Sequence, residues 1–193
     1  MRRRDKEVIM DKETMERALV RLTHEILERN QGVKDLVLVG IRTGGVYLAE
    51  RIRDKIEKVE GVPIPCGVID IALYRDDFAT ALPRPLVGKT EIPFPLKDKK
   101  VILVDDVLFT GRTVRAAMDA LIDFGRPNFI QLAVLIDRGH RELPIQADYV
   151  GKKVLTAPQE EVTVTFRELE GQDRVVVQEP ILEQKFETPD PKV

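Results

Sequence analysis

Two consecutive acids, Asp105 and Asp106, follow the apolar run Val101-Ile102-Leu103-Val104 and precede Val107-Leu108-Phe109 and then Thr110-Gly111-Arg112-Thr113. Such a run reads as a buried strand, and in open α/β sheets ligands gather beyond the carboxyl ends of strands, where this spacing puts both carboxylates. Thr110 to Thr113 open a helix. Its first backbone N–H groups lack intrahelical partners, and with the two threonine hydroxyls they form a cradle for an anion such as a phosphate; Gly111 permits close backbone approach. Read alone, the acids also suit a solvated turn that caps a helix.

A second glycine-rich segment, Gly40-Ile41-Arg42-Thr43-Gly44-Gly45, follows Leu36-Val37-Leu38-Val39. Backbone N–H groups, Arg42 and the Thr43 hydroxyl could converge there on another anion, although an ordinary strand-to-helix turn has the same composition. Gly88-Lys89-Thr90 ends like a nucleotide-binding P-loop, but that motif's first glycine falls on Pro83 and no apolar strand precedes it, which excludes it.

The elements that must position these groups follow from periodicity. Met15, Ala18, Leu19, Leu22 and Ile26 mark one face of a helix over 11–30, with Asp11 as its N-cap and Gly32 just past its end. Val46, Leu48, Ala49, Ile52 and Ile56 mark a second helix, and Val114, Ala117, Met118, Leu121 and Ile122 a third over 112–124. Residues 130–136 read as another core strand, residues 62–74 as β-rich, and residues 75–99, with four prolines, as a long functional loop. Val162 to Phe166 and Val175 to Val177, around Glu170-Gly171-Gln172-Asp173, read as a β-hairpin over about 161–178. The expected class is α/β, a mainly parallel doubly wound sheet in one domain over 1–179, followed by a loosely ordered tail over 180–193.

The 193 residues include 31 basic and 33 acidic side chains, a formal charge of −2, and 43% are hydrophobic, enough for one core. Near-neutral charge disfavours coating nucleic acid by bulk electrostatics and leaves room for a local basic face. The single cysteine, Cys66, excludes an intrachain disulfide framework and lacks the spacing of a zinc site. No apolar run approaches the roughly 20 residues that span a bilayer. The opening Met1-Arg2-Arg3-Arg4-Asp5-Lys6 reads into a charged helix rather than a secretory signal, so a cytosolic protein is expected.

Val101 to Thr113 resemble the 5-phosphoribosyl-1-pyrophosphate (PRPP) signature of type I phosphoribosyltransferases: four apolar residues, two acids, a short spacer and Thr-Gly-x-Thr. The resemblance implies that Asp105 and Asp106 are catalytic, accepting hydrogen bonds from the ribose hydroxyls and stabilising positive charge on the ring. It implies that Val107, Leu108 and Phe109 help bind PRPP while Thr110, Gly111, Arg112 and Thr113 hold its 5′-phosphate. It gives the pyrophosphate to Arg42, Thr43, Gly44 and Gly45, and brings Mg²⁺ mainly through PRPP, without a dedicated protein site.

A longer resemblance spans nearly the whole chain and is to the PyrR family, pyrimidine-operon attenuators that are also uracil phosphoribosyltransferases. Arg17-Ala18-Leu19 through His24-Glu25, the stretch from Asp70 to Asp77, the PRPP segment and Leu132 to Pro144 carry it. It implies conversion of uracil and PRPP to UMP and pyrophosphate, with Ile136, Asp137, Arg138, Gly139 and His140 at the base. It implies a flexible flap over 75–99 entered through Tyr74, Arg75 and Asp76, and a homo-oligomer, dimer or larger, away from membranes. It also implies UMP- or UTP-responsive binding of an operon leader RNA hairpin by Arg17, Arg21, His24, Arg141 and Lys152. Three departures stand out: Val20 replaces a Thr, Gln146 an Arg, and Gly44 an Arg of the pyrophosphate loop, which shifts leaving-group charge toward Arg42. The other readings are an attenuator with incidental catalysis, a transferase without RNA binding, and a purine or orotate transferase, which the segment from Asp137 to Pro144 disfavours.

Overall fold

The computed structural model describes residues 2–74 and 88–181. In chain order these form β1 (Arg3–Met10), α1 (Lys12–Asn30), β2 (Leu36–Ile41), α2 (Gly44–Glu60), β3 (Cys66–Ile69), a 3₁₀ turn (Ala72–Tyr74), β4 (Lys100–Leu108), α3 (Arg112–Asp123), β5 (Phe129–Asp137), β6 (Tyr149–Lys153), β7 (Glu161–Thr165), the short α4 (Arg167–Glu170) and β8 (Arg174–Pro180).

Five strands make a parallel sheet in the order β3-β2-β4-β5-β6. Side chains alternate across it: Leu36, Leu38, Ile102 and Val104 pack with α1 and α2, and Val37, Val39, Val101 and Leu103 pack with α3. Burial of both faces is why these strands are apolar without interruption. Helix α1 starts where the Asp11 carboxylate accepts the Thr14 N–H at 2.8 Å. It ends at Gln31, in the left-handed region at φ 56°, with the Gly32 N–H on the Leu27 carbonyl.

A second, antiparallel sheet, β1-β8-β7, packs Val162, Phe166, Val175 and Val177 into the core shared with α1 and α2. It corrects the reading of the first residues as a helix: Arg3–Met10 is a strand in register with β8, pairing Val8 with Val176. Only Ile9 and Met10 are buried in it, and its charged residues find partners at the far end of the chain, Arg4 on Glu179 and Asp5 on Arg174. The hairpin of β7 and β8 reaches Pro180 and carries α4 in its connection, closed by Gly171 at φ 77°. In the β-rich stretch only Cys66–Ile69 is a strand. Tyr149–Lys153, where the sequence showed only a change of pattern, adds an edge strand beside β5.

Of the expected flap, residues 75–87, including Arg75 and Asp76, lie outside the described residues, as do 182–193 of the tail. Residues 88–99 are irregular, with Glu91 bridging Val68. Among the described residues no helix is long and apolar enough to cross a membrane. Burial pushes the Cys66 thiol up to about 11. At pH 8 it is therefore expected to react with an aromatic disulfide reagent only after denaturant is added; fast reaction of the folded protein would contradict this.

Candidate active site

Strand β4 runs past its apolar residues and carries both acids at its carboxyl end. Asp105 is buried, its Oδ1 accepting the Asp106 N–H at 3.0 Å, and Asp106 Oδ1 accepts the Val107 N–H at 2.8 Å. Burial raises the proton affinity of both, and the neighbouring Asp106 charge raises that of Asp105 further. Because the native state holds these protons more tightly than the unfolded chain, the pair's contribution to stability is full at low pH and is lost as pH rises through the native titration. Carboxyl carbon NMR of the ligand-free protein is expected to show the pair titrating above the value of about 4 for a free aspartate. A midpoint at or below it would contradict the burial.

The two acids face a cavity of about 430 Å³ whose other walls include Arg42, Gly44, Asp70 and Thr113. The loop after β2 approaches β4 closely because it carries glycine: a Cβ on Gly44 would overlap the Asp106 carboxylate, and one on Gly45 would meet the Val104 carbonyl. Arg42 donates through Nη2 to the Lys89 carbonyl at 3.0 Å, and its Nε lies 3.7 Å from Asp70 Oδ2. Among the described residues lining the cavity it is the single cation.

Sequence reasoning gave no role to Asp70. It follows β3, and its carboxylate accepts the Ala72 and Gly88 N–H groups at 2.8 and 2.9 Å, which joins those two residues beside Arg42. Its signal was the position of β3: the carboxyl ends of adjacent parallel strands open onto the same crevice.

Beyond β4 Gly111, at φ 93°, caps α3, and the Thr110 hydroxyl accepts the Arg112 N–H at 3.3 Å. Thr113 faces the cavity, Arg112 pairs with Glu142 at 2.7 Å, and Leu108 is buried in the core. The stretch after β5 lies directly against this turn. Ile136 is buried, and Asp137 Oδ1 accepts the Gly139 N–H at 3.0 Å. Arg138, also buried, stacks 3.9 Å over the Phe109 ring and donates to Thr156 Oγ1 and the Ala157 carbonyl, burial lowering its proton affinity. His140 Nε2 lies 2.6 Å from the Thr156 carbonyl, so this nitrogen carries a hydrogen and donates it there. Tyr74 is held at both its polar groups, its hydroxyl donating to Asp123 and its carbonyl accepting from Arg115.

The expected basic face separates into two groups. Arg17 and His24 are exposed on α1, and Lys152 is on the edge strand β6, which packs on α1, with its Nζ donating to the Ile9 carbonyl. Arg21 braces α1 onto β6, bonding Glu25 and the carbonyls of Val150 and Gly151. Arg141 turns toward Asp137, with its Nη2 2.6 Å from Oδ1 and its side chain 21% exposed.

Comparison with known proteins places these features in context. Residues 6–168 match the family model described as a phosphoribosyl transferase domain. The "Bifunctional protein PyrR" of Pelotomaculum thermopropionicum is 58% identical over 176 residues, covering 91% of this chain and 97% of the relative. That of Geobacter sulfurreducens is 62% identical over 162 residues, covering 84% and 92%. Among solved structures, a Staphylococcus aureus hypoxanthine phosphoribosyltransferase superposes with a TM-score of 0.66 at 24% identity, covering 89% of this chain and 92% of the other. A Trypanosoma cruzi hypoxanthine phosphoribosyl transferase does so at 0.68 and 18%, covering 90% and 91%. At these identities the structural likeness speaks for the fold alone.

Proposed function

This chain belongs to the phosphoribosyltransferase family and to its PyrR branch, and from that premise we propose that it converts uracil and PRPP to UMP and pyrophosphate and that pyrimidine nucleotide in the same site controls binding to an operon leader RNA hairpin. The observation that carries the enzymatic half is one cavity lined by the acid pair, by Arg42, Thr43 and Gly44 of the first glycine-rich loop, and by Thr113 of the second. A ribose bearing a 5′-phosphate and a 1-pyrophosphate needs an anion-binding loop for each group around one reacting centre.

Departure of pyrophosphate from C1′ leaves oxocarbenium-like charge on the ring, which fixed negative groups stabilise where it develops. Asp105 and Asp106 suit this task because burial leaves their charge short of solvent, so a developing cation beside them is favoured over bulk water. They also accept the ribose hydroxyls, which orients C1′. Backbone groups from Ile136 to His140 read the uracil edge, and the inward turns of Asp137 and Arg138 hold that loop in place.

Asp105 and Asp106 offer the oxygen donors that Mg²⁺ prefers, while among the described residues no three His, Cys, Asp or Glu side chains are grouped to enclose an ion. These carboxylates would help hold an ion brought mainly by PRPP, and it would supply neutralisation of leaving-group charge. Uracil-dependent release of pyrophosphate from PRPP tests the enzymatic half; its absence would overturn that half.

For the regulatory half the supporting observation is adjacency. Strand β6, which carries Lys152 and holds Arg21, pairs directly with β5, whose end is the base loop, with Asp137 opposite Lys153. Hairpin RNA binding measured with and without UMP is expected to tighten when UMP is present. Equal affinity in both conditions would remove nucleotide control.

A further inference from the structure

Arg141 reaches acceptors on three separate segments. Its Nε donates to the Ile145 carbonyl at 2.9 Å, Nη1 to the Phe109 and Gly139 carbonyls at 2.8 and 3.0 Å, and Nη2 to Asp137 Oδ1 at 2.6 Å. The side chain is only 21% exposed, and a planar guanidinium is the one side chain whose fixed fork of five N–H donors can serve so many directions at once.

Each segment belongs to the proposed site. Phe109 leads into the 5′-phosphate cradle, Asp137 and Gly139 form the base loop, and Ile145 lies behind Gly111, where a Cβ would stand 3.3 Å from it. Backbone bonds also join these parts: Arg138 N–H to the Leu108 carbonyl at 3.1 Å, and Glu142 and Leu143 N–H to the Thr110 carbonyl at 3.0 and 3.1 Å. They keep the two loops in contact. Among the described residues, Arg141 alone ties the Asp137 carboxylate to the carbonyl before Thr110.

We infer that Arg141 is a positioning residue that fixes the spacing between the base loop and the 5′-phosphate cradle, so that both ends of the nucleotide are held by one rigid body. The inference rests on the phosphoribosyl-transfer reading above. It separates three ligands. PRPP meets the phosphate side, uracil meets the base loop, and UMP spans both, so UMP and uracil depend on the spacing while PRPP does not.

The test uses the full chain with Arg141→Gln and Arg141→Lys, measuring steady-state UMP synthesis, UMP affinity by calorimetry, hairpin RNA affinity at saturating UMP, and thermal melting. For Arg141→Gln the uracil KM and the UMP Kd are expected to rise about 10- to 100-fold, the range for losing hydrogen bonds to a charged partly buried group, with the PRPP KM within about 3-fold. Arg141→Lys is expected to recover part of the loss, because one ammonium cannot bridge all three segments. Unchanged uracil and UMP constants would overturn the inference, as would uracil and PRPP constants rising together with a lowered melting temperature, the mark of general destabilisation. Lost RNA affinity with intact UMP affinity would also overturn it and make Arg141 an RNA contact. If Arg141→Gln does not fold, Asp137→Asn carries the same expectation. Failure of the unaltered chain to make UMP is a different result: it overturns the transfer reading, and UMP affinity then still decides the role of Arg141.

Discussion

Asp106→Asn is expected to lower kcat for UMP synthesis about 10²- to 10³-fold, the effect typical of removing one preorganised electrostatic partner from a reacting centre. The substitution keeps the side chain's shape and leaves Oδ1 able to accept the Val107 N–H, so the melting temperature should hold or rise. A rise has a physical cause: Asp105 and Asp106 repel one another in a buried place, and neutralising one of them relieves that repulsion. Loss of turnover with unchanged or raised stability is the signature of a group kept for chemistry rather than folding. Near-normal turnover would remove Asp106 from the catalytic role.

Arg42→Gln is expected to raise the KM for PRPP about 10- to 100-fold, the range for losing a charge-assisted hydrogen bond. The expectation follows from the charge balance of the cavity, in which Arg42 is the single cation among the described lining residues and stands against three carboxylates. Gly44 adds to its importance, since a side chain there would run into Asp106 and no second cation can occupy position 44 without moving the acid. Raising Mg²⁺ should offset part of the loss by screening the same pyrophosphate charge. A KM for PRPP unchanged by Arg42→Gln, in steady-state kinetics over a range of Mg²⁺, would show that the pyrophosphate is held elsewhere.

The central sheet was readable in advance because Leu36 to Val39 and Val101 to Val104 are apolar at every position, the mark of strands buried on both faces. The acid pair was readable for the same reason, as the sequence changes from fully apolar to doubly charged in one step. Strand β1 was not, because Arg3, Arg4, Asp5 and Lys6 are satisfied by Glu161, Glu179, Arg174 and Glu160, all distant in sequence. Edge strand β6 hides likewise, since Lys152 and Lys153 are exposed and Tyr149–Lys153 shows no apolar run. The direction of Arg141 is a matter of tertiary geometry. His140 adopts φ 57°, which folds the loop back so that Arg141 meets Asp137 across a turn, and residue spacing carries no record of that reversal.

The account stands on the two anion cradles and the acid pair acting on one ribose, and labelled uracil incubated with PRPP and Mg²⁺ tests it most directly, run beside orotate and hypoxanthine. Labelled UMP formed from uracil alone, and lost in Asp106→Asn, is the predicted result. No nucleotide from any base, in a protein that still binds UMP, would contradict it and leave a nucleotide-sensing regulator in its place.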